Sequence, residues 1–503
     1  MASFEELQSL AEVVSKNKVK HIHVIGNPDS KHTKFEQFYD ALASGRFQND
    51  EEAAQFFYQA SPNHAAYRKL KDRLQERMVN TLFFVDVNQP NFNEHNQAYY
   101  YCSKQMLAVR LLIASNARQA GIPLAIEALK LAIEYEFTEF IIPLARDLQL
   151  YYGTIIGQRK KLYDMNKVIL KYKDISTAEI EAEAFYAEIM SYFVNSKSTK
   201  IDLKQTIEKY SDKIENLLKH LSSPRLNFYG YLVLTLRYEI IHDYINTLKV
   251  CHRALEYLEP SANKISISNI FIFAIKILAY QIYLGNFEAG KDAIKRCLKF
   301  SRVGAYNWFM TLEYAVILTF YSKEFQDAYD LYYKATNHSN FEKQPVAIRE
   351  RWYILEAFVY FFLFTKKLEI LEENPLKKFR LSKFLNEVPI YSKDKRGANI
   401  SILILQVLFL LHQKKYNEII DRAESLKTYT YRYLRRDDTF RSHCFIRMLL
   451  TLPDCSFYKA AVLRKADKYW QQLQAMPLNV ARQSAEVEIV PYETLWEFVL
   501  EEL

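Results

Sequence analysis

Residues able to do chemistry gather at a few places in this 503-residue chain. Near its start, His21, His23 and His32 lie close to Asp29. A His-x-His pair on a strand puts both rings on one face, as a metal-ligand pair requires. No further ligand cluster follows, so these read as ordinary histidines and no metal is assigned. Far downstream, Thr428–Arg436 reads TYTYRYLRR. Tyr429, Tyr431 and Tyr433 there interleave with Arg432, Arg435 and Arg436, and arginine can meet phosphate while tyrosine stacks on bases. The same run also fits a helix whose tyrosines pack and whose arginines face water, with Asp437 and Asp438 neutralising much of the charge. Lys377, Lys378, Arg380 and Lys383 form a second basic cluster, and Arg159-Lys160-Lys161 a third.

Signatures of catalysis and cofactor binding are missing. The chain contains no HExxH, GxSxG or DxDxG, and neither a dinucleotide-type GxGxxG nor a Walker-type loop. Its 10 glycines amount to about 2%, where roughly 7% is usual. Phosphate-cradling loops need glycine, which adopts positive φ freely and lets backbone approach a ligand. An enzyme, a cofactor and a small-molecule substrate are therefore not expected. The net charge of +8, from 67 basic and 59 acidic residues, is milder than a dedicated nucleic-acid binder usually carries. Five cysteines, none in a CxxC pair, fit reduced thiols in a cytoplasm. The opening MASFEELQSLAEVV lacks the basic-then-apolar layout of a signal peptide. Ile267–Leu284 is broken by Lys276, and Ile400–Leu411 is too short to cross a bilayer. Both are expected as buried core helices, with no membrane partner.

The elements that position these residues should be all-α. Residues 1–98 read as a small, mostly helical region. Lys18–Gly26 alternates polar and apolar residues, as a short strand or the frayed end of a first helix would. Phe35–Ala43, Asp50–Gln59 with Asp50 as N-cap, and Ala65–Phe84 read as helices. Leu70, Leu74, Met78 and Leu82 give the last a buried stripe. From Tyr99 a helical hairpin repeats. The bulky residue opening its second helix recurs at Ile122, Leu162, Leu203, Tyr244, Phe287, Phe325, Leu368, Tyr416 and Phe457, at intervals of 38 to 48 residues. One hairpin cannot bury its own apolar face, so a period near 40 predicts a stacked α-solenoid over 99–475. Pro260, Pro345 and Pro453 should fall between helices, and Pro123 at a helix start. Glu372-Glu373-Asn374-Pro375 should interrupt the unit at Leu368.

Small and aromatic residues recur within these units. They are Leu284-Gly285-Asn286-Phe287 with Cys297; Phe325 with Ala328, Tyr332 and Ala335; Tyr244 with Ala254; and Ile122 with Ala125, Leu129 and Ala132. On these residues the array resembles a degenerate member of the tetratricopeptide repeat (TPR) family. It departs from that family in a period longer than 34 and closer to HEAT arrays, and in lacking most turn glycines and closing prolines. The resemblance implies a right-handed α-solenoid of about nine hairpins that binds a protein or peptide as a non-enzymatic scaffold. First helices would then line the partner groove, placing Leu232, Leu236, Ile275, Ile282, Ile317, Phe320, Leu408 and Leu411 on it. The alternative is a solenoid that grips nucleic acid through its arginine, lysine and tyrosine clusters, the tyrosine–arginine run first among them.

Residues 476–503 should close the array. After Pro491, Leu495, Trp496, Phe498, Val499, Leu500 and Leu503 offer a broad apolar surface. Glu486, Glu488, Glu493, Glu497, Glu501 and Glu502 are expected on an acidic outer side. Such a segment either caps the last hairpin permanently or swings out to a partner.

Overall fold

A computed structural model of the protein describes residues 33–47, 49–87, 93–194, 200–369, 379–386, 398–434, 439–478 and 488–503. Among these residues every regular element is a helix and no strand occurs. The expected strand at Lys18–Gly26, the histidines at 21, 23 and 32, and the interruption at Glu372–Pro375 lie outside them.

The helices run α1 (Lys34–Ala43), α2 (Asp50–Tyr58), α3 (Ala65–Leu82), α4 (Glu94–Ala114), α5 (Arg118–Glu134), α6 (Thr138–Leu150) and α7 (Arg159–Val194). A π-helical turn, Tyr151–Ile156, separates α6 from α7. Then follow α8 (Lys200–His220), α9 (Pro224–Glu239), α10 (Tyr244–Leu258), α11 (Ile267–Tyr283), α12 (Phe287–Lys299), α13 (Tyr306–Tyr321), α14 (Phe325–Thr336) and α15 (Val346–Phe364). The last are α16 (Leu381–Asn386), α17 (Ala398–His412), α18 (Tyr416–Tyr433), α19 (Phe440–Leu449), α20 (Thr451–Asp454), α21 (Lys459–Gln474) and α22 (Tyr492–Glu502). Two compact units, Met1–Lys173 and Asp174–Leu503, divide inside α7, at a place nothing in the sequence marks.

In the first unit, α1–α3 make a small bundle around Phe38, Ala53, Ala54, Phe57, Tyr67, Leu70 and Leu74. Thr33 and Glu36 close a capping box at the start of α1, each accepting the other's backbone N–H. At α2 the N-cap is Asn49 and not Asp50. Asp50 instead accepts hydrogen bonds from Tyr67 Oη and Lys71 Nζ, both at 2.6 Å, tying α2 to α3. The apolar stripe of α3 stops short of its expected end, because Leu82 is 62% exposed. Beyond the bundle, α4 packs on α5 and α5 on α6. Pro123 sits inside α5, past the first turn where it was expected.

Hairpins stack in sequence order in the second unit, α9 on α10, α11 on α12, α13 on α14 and α17 on α18. The expected openers Tyr244, Phe287, Phe325 and Tyr416 are the first residues of α10, α12, α14 and α18. One turn geometry joins each pair. His242, Lys323 and Lys414 have φ between 56° and 61° and Gly285 has φ 70°, and Lys366, at φ 57°, makes the same turn at the end of α15. The N–H of each bonds the carbonyl three residues back, and the next N–H reaches five back, as in Lys323→Phe320 with Glu324→Thr319 and Lys414→Leu411 with Lys415→Leu410. This Schellman turn satisfies the orphan carbonyls of the first helix, and outside glycine its left-handed residue costs about 1 kcal/mol. Buried stacking offsets that cost.

The small residues sit where helices cross. Ala125, Ala132, Ala254, Cys297, Ala328 and Ala335 are fully buried. Gly290 on α12 lies so close to α13 that an added Cβ would strike Leu318 Cδ1. The bulky openers differ among themselves. Phe325 stacks on Phe362 with ring centroids 4.1 Å apart, and Tyr416 meets Phe457 of the next unit at 4.2 Å. Phe287 and Phe325 are both half-buried, but it is Phe325 that packs against the core of the unit. Leu162 falls in the first turn of α7, but the repeat lapses after it, because α7 runs unbroken through 36 residues where a break before the next unit was expected.

Thermal unfolding should rank three substitutions. Gly290→Ala should cost about 1–3 kcal/mol through overpacking against Leu318. Phe325→Ala should cost about 3 kcal/mol, and Phe287→Ala clearly less. Equal losses at the two phenylalanines would contradict this packing.

Candidate functional site

The most developed constellation of side chains in the second unit surrounds α22. This helix of 11 residues has no side-chain N-cap, and its N-terminal end is organised by a buried ion cluster instead. Arg441, 2% exposed on α19, donates from Nε and Nη2 to the two oxygens of Glu488 at 2.8 and 2.7 Å. Nη2 also donates to Glu493 at 2.8 Å, and Nη1 to the carbonyls of Leu473 and Met476 at 3.1 and 2.9 Å. The guanidinium fork is thereby engaged at all three nitrogens, which is what a buried cation requires. Glu488 Oε1 in turn accepts the N–H of Tyr492, an otherwise orphan donor of the helix start, and the Glu488 carbonyl accepts Tyr321 Oη at 2.6 Å. Tyr492 stacks on Phe445 with ring centroids 4.6 Å apart, and its hydroxyl pairs with Ser442 at 2.7 Å. Burial raises the Glu488 carboxyl above the ordinary carboxylate value against the pull of the guanidinium. It also pushes the Tyr321 phenol well up.

Downstream, α22 lies across the turn ends of successive hairpins. Phe498 packs among Phe325, Phe361 and Phe362, with ring centroids 5.5–6.2 Å apart. Lys323 reaches Glu497 at 2.6 Å, Lys367 reaches Glu501 at 2.8 Å, and Lys414 and His412 reach Glu502 at 3.2 and 2.6 Å. Lys414 and Lys459 also donate to the carbonyls of Glu502 and Leu500. Those are unsatisfied carbonyls of the last turn, where the helix dipole favours positive charge. Lysines at the ends of α13, α15 and α17 and the first residue of α21 together form a basic rim around an aromatic floor. It accepts an amphipathic helix carrying glutamates on one side and a phenylalanine on the other.

The apolar side of this segment is buried as expected at Leu495, Trp496, Phe498 and Val499. Its acidic side is not a free outer face. Glu488 is 1% exposed, and Glu493, Glu497, Glu501 and Glu502 all hold partners. Glu486 lies outside the described residues. The helix touches residues from Lys323 to Lys459, so it reaches well beyond the last hairpin. No sequence motif announces Arg441 and Glu488 as partners across 47 residues. A lone glutamate in Val487-Glu488-Ile489-Val490, among residues otherwise apolar, is the one local hint.

The residues expected to line a partner groove lie mostly inside the unit. Leu232, Leu236, Ile282, Ile317, Phe320, Leu408 and Leu411 are buried, and Ile275 is partly buried against the same core. As core residues they offer no accessible docking surface. In the tyrosine–arginine run, Tyr429 packs against the core of the second unit, whereas Tyr431 is 65% exposed and Arg432 is exposed. Tyr429 and Arg432 line a shallow open cleft with Glu424, Ser425 and Thr428. The side chain of Tyr433 and all of Arg435 and Arg436 lie outside the described residues. Arg159, Lys160 and Lys161 are exposed in the first turn of α7.

Among the described residues no group of three His, Cys, Asp or Glu could hold a metal ion, and no helix is long and apolar enough to cross a membrane. Burial pushes the thiols of Cys102, Cys251 and Cys297 up to about 12 and that of Cys444 to about 11, which suppresses the thiolate. No family model, curated protein or solved structure matches this chain.

Arg441→Leu should lower stability by about 3–5 kcal/mol, because Glu488 would stay buried without its counter-charge. Adding Glu488→Leu should recover much of that loss. A double variant no better than the single one would contradict the pairing.

Acid should also loosen the far end of α22. Burial opposes the charge on Glu502, yet hydrogen bonds from His412 and Lys414 hold its carboxyl below the ordinary carboxylate value. Its contribution is present above that value and lost as pH falls through the lower folded value. Glu502→Gln should remove this part of the acid sensitivity in unfolding measured from pH 6 down to about 3. An unchanged profile would contradict the assignment.

Proposed function

We propose that this protein is a non-enzymatic scaffold that binds a helical segment of a protein partner. The reading takes the array as a right-handed TPR-like α-solenoid of about nine hairpins. The observation that carries it is the basic, aromatic-floored rim formed by Lys323, Lys367, Lys414 and Phe362, on which α22 lies. Repeating hairpins that hold one amphipathic helix by turn lysines and buried rings have the chemistry to hold another. Five cysteines without a disulfide support a reducing compartment, and we place the protein in the cytoplasm.

A second reading, binding of single-stranded nucleic acid, is favoured by the exposed Tyr431 beside the exposed Arg432. Salt separates the two. A nucleic-acid complex resting on several phosphate contacts loses about 10³–10⁵ in affinity between 50 and 200 mM salt. A helix held largely by apolar contacts should lose far less. The scaffold reading expects a protein captured from native lysate to survive both 200 mM salt and nuclease. Release by either treatment would favour nucleic acid instead.

A further inference from the structure

The turn between α6 and α7 in the first unit carries side chains that neither the hairpin array nor the scaffold reading uses. Three contacts pin its two stems. Gln149 Nε2 donates to Asn166 Oδ1, Lys161 Nζ lies 5.0 Å over the ring of Tyr152, and a Cβ added to Gly153 would meet Leu162 Cδ1 at 3.4 Å. These pairs step inward toward Gly157, whose φ of 68° reverses the chain, so residues 154–160 form the tip of a helical hairpin. On that tip Ile155 and Ile156 are 54% and 45% exposed. Leu150, one i→i+5 turn before Ile155, and Tyr163, one turn past Arg159, are each 60% exposed on the stems. Arg159, Lys160 and Lys161 are exposed beside them and make no ion pair among the described residues. They fill the first turn of α7, the end at which the helix dipole disfavours positive charge. From Leu148 to Lys173 the chain has six basic residues and one acidic residue, Asp164, a net +5 where the whole chain carries +8. Water-exposed isoleucines and unpaired cations thus share one turn, and neither helps the fold.

We propose that this hairpin tip docks the protein on the surface of an anionic lipid bilayer. Ile155 and Ile156 enter the boundary between headgroups and acyl chains, and Arg159, Lys160 and Lys161 meet the lipid phosphates. Tyr163, apolar along its ring and polar at its end, suits the headgroup level. Charge and polarity together select this occupant. A nucleic acid would pair with the cations through its phosphates but leave the isoleucines in water. A protein partner would find only the end of one hairpin, well short of the roughly 800 Å² per partner that a specific interface buries. The bilayer surface takes both kinds of side chain at once and needs no groove. Two isoleucines or three cations alone would bind weakly, so both signals are required, as for lipid-anchored proteins. The contact is peripheral, since among the described residues no helix is long and apolar enough to cross a membrane. It does not depend on the scaffold reading, which rests on the second unit.

The test is sedimentation of the full chain with vesicles of phosphatidylcholine, either pure or with one-third phosphatidylserine. Binding should be at least about tenfold tighter to the anionic vesicles. Ile155→Ser with Ile156→Ser should weaken it at least about tenfold, and so should Arg159→Glu with Lys160→Glu. Lys69→Glu with Arg73→Glu makes the same change of net charge at exposed positions of α3 and should leave binding within about twofold. No binding of the unmodified chain to anionic vesicles would overturn the proposal. Equal losses in the α3 variant, or none in the isoleucine variant, would overturn it too, leaving only diffuse charge attraction. A single-stranded oligonucleotide bound through Arg159 and Lys160, with vesicles ignored, would make the tip a nucleic-acid contact instead. Circular dichroism and the melting temperature of each variant separate these outcomes from misfolding. Should a tip variant misfold, amide exchange of residues 153–158 in the unmodified chain decides. Slowing of at least about tenfold on adding anionic vesicles supports the proposal, and an unchanged rate overturns it.

Discussion

The guanidinium of Arg441 is the point from which the C-terminal part of the second unit is organised. A cation at 2% exposure is tolerable only if its donors find acceptors, and here they find two carboxylates and two helix-terminal carbonyls. The carbonyls come from the end of α21, Glu488 from the approach to α22, and Glu493 from its first turn. One side chain on α19 thus fixes the exit of one helix and the entry of another. Such a cluster contributes little net stability over an apolar replacement, but losing one partner is costly. That asymmetry favours a placement of residues 488–493 that keeps the charges paired, as this one does.

From that anchor α22 extends over hairpin turns that the repeat has brought into register. The Schellman turn needs a left-handed residue, and the positions at 323, 366 and 414 use lysine where glycine would be cheaper. Lys323 and Lys414 meet glutamates of α22 directly, and Lys367, one residue past its turn position, does the same. Individually these exposed pairs are weak, about 0–1 kcal/mol each. The apolar burial of Leu495, Trp496, Phe498 and Val499 supplies most of the attachment, and the lysines set its direction.

Much of this is legible in the sequence, and the limits have physical causes. A 3.6-residue apolar period and a recurring bulky opener locate Tyr244, Phe287, Phe325 and Tyr416 at the first residue of their helices, because the turn chemistry is local. The burial of α22 follows from its composition. Its partners do not, since an Arg441–Glu488 pair spans 47 residues and leaves no periodic trace. The stretch after Leu162 illustrates the opposite failure: the apolar period passes through α7 unchanged whether or not a turn interrupts it, and nothing in Met165–Glu181 breaks a helix. The apolar first-helix residues from Leu232 to Leu411 are equally ambiguous, because a lined groove and a packed interior demand the same side chains.

Amide hydrogen exchange across the second unit tests the central claim most directly. If α22 is integral to the stacked hairpins, its amides should open with those of α15 and α17, against which Phe498 and Glu502 pack. Exchange of residues 492–502 at rates far above those two helices, with α15 and α17 still protected, would contradict the account.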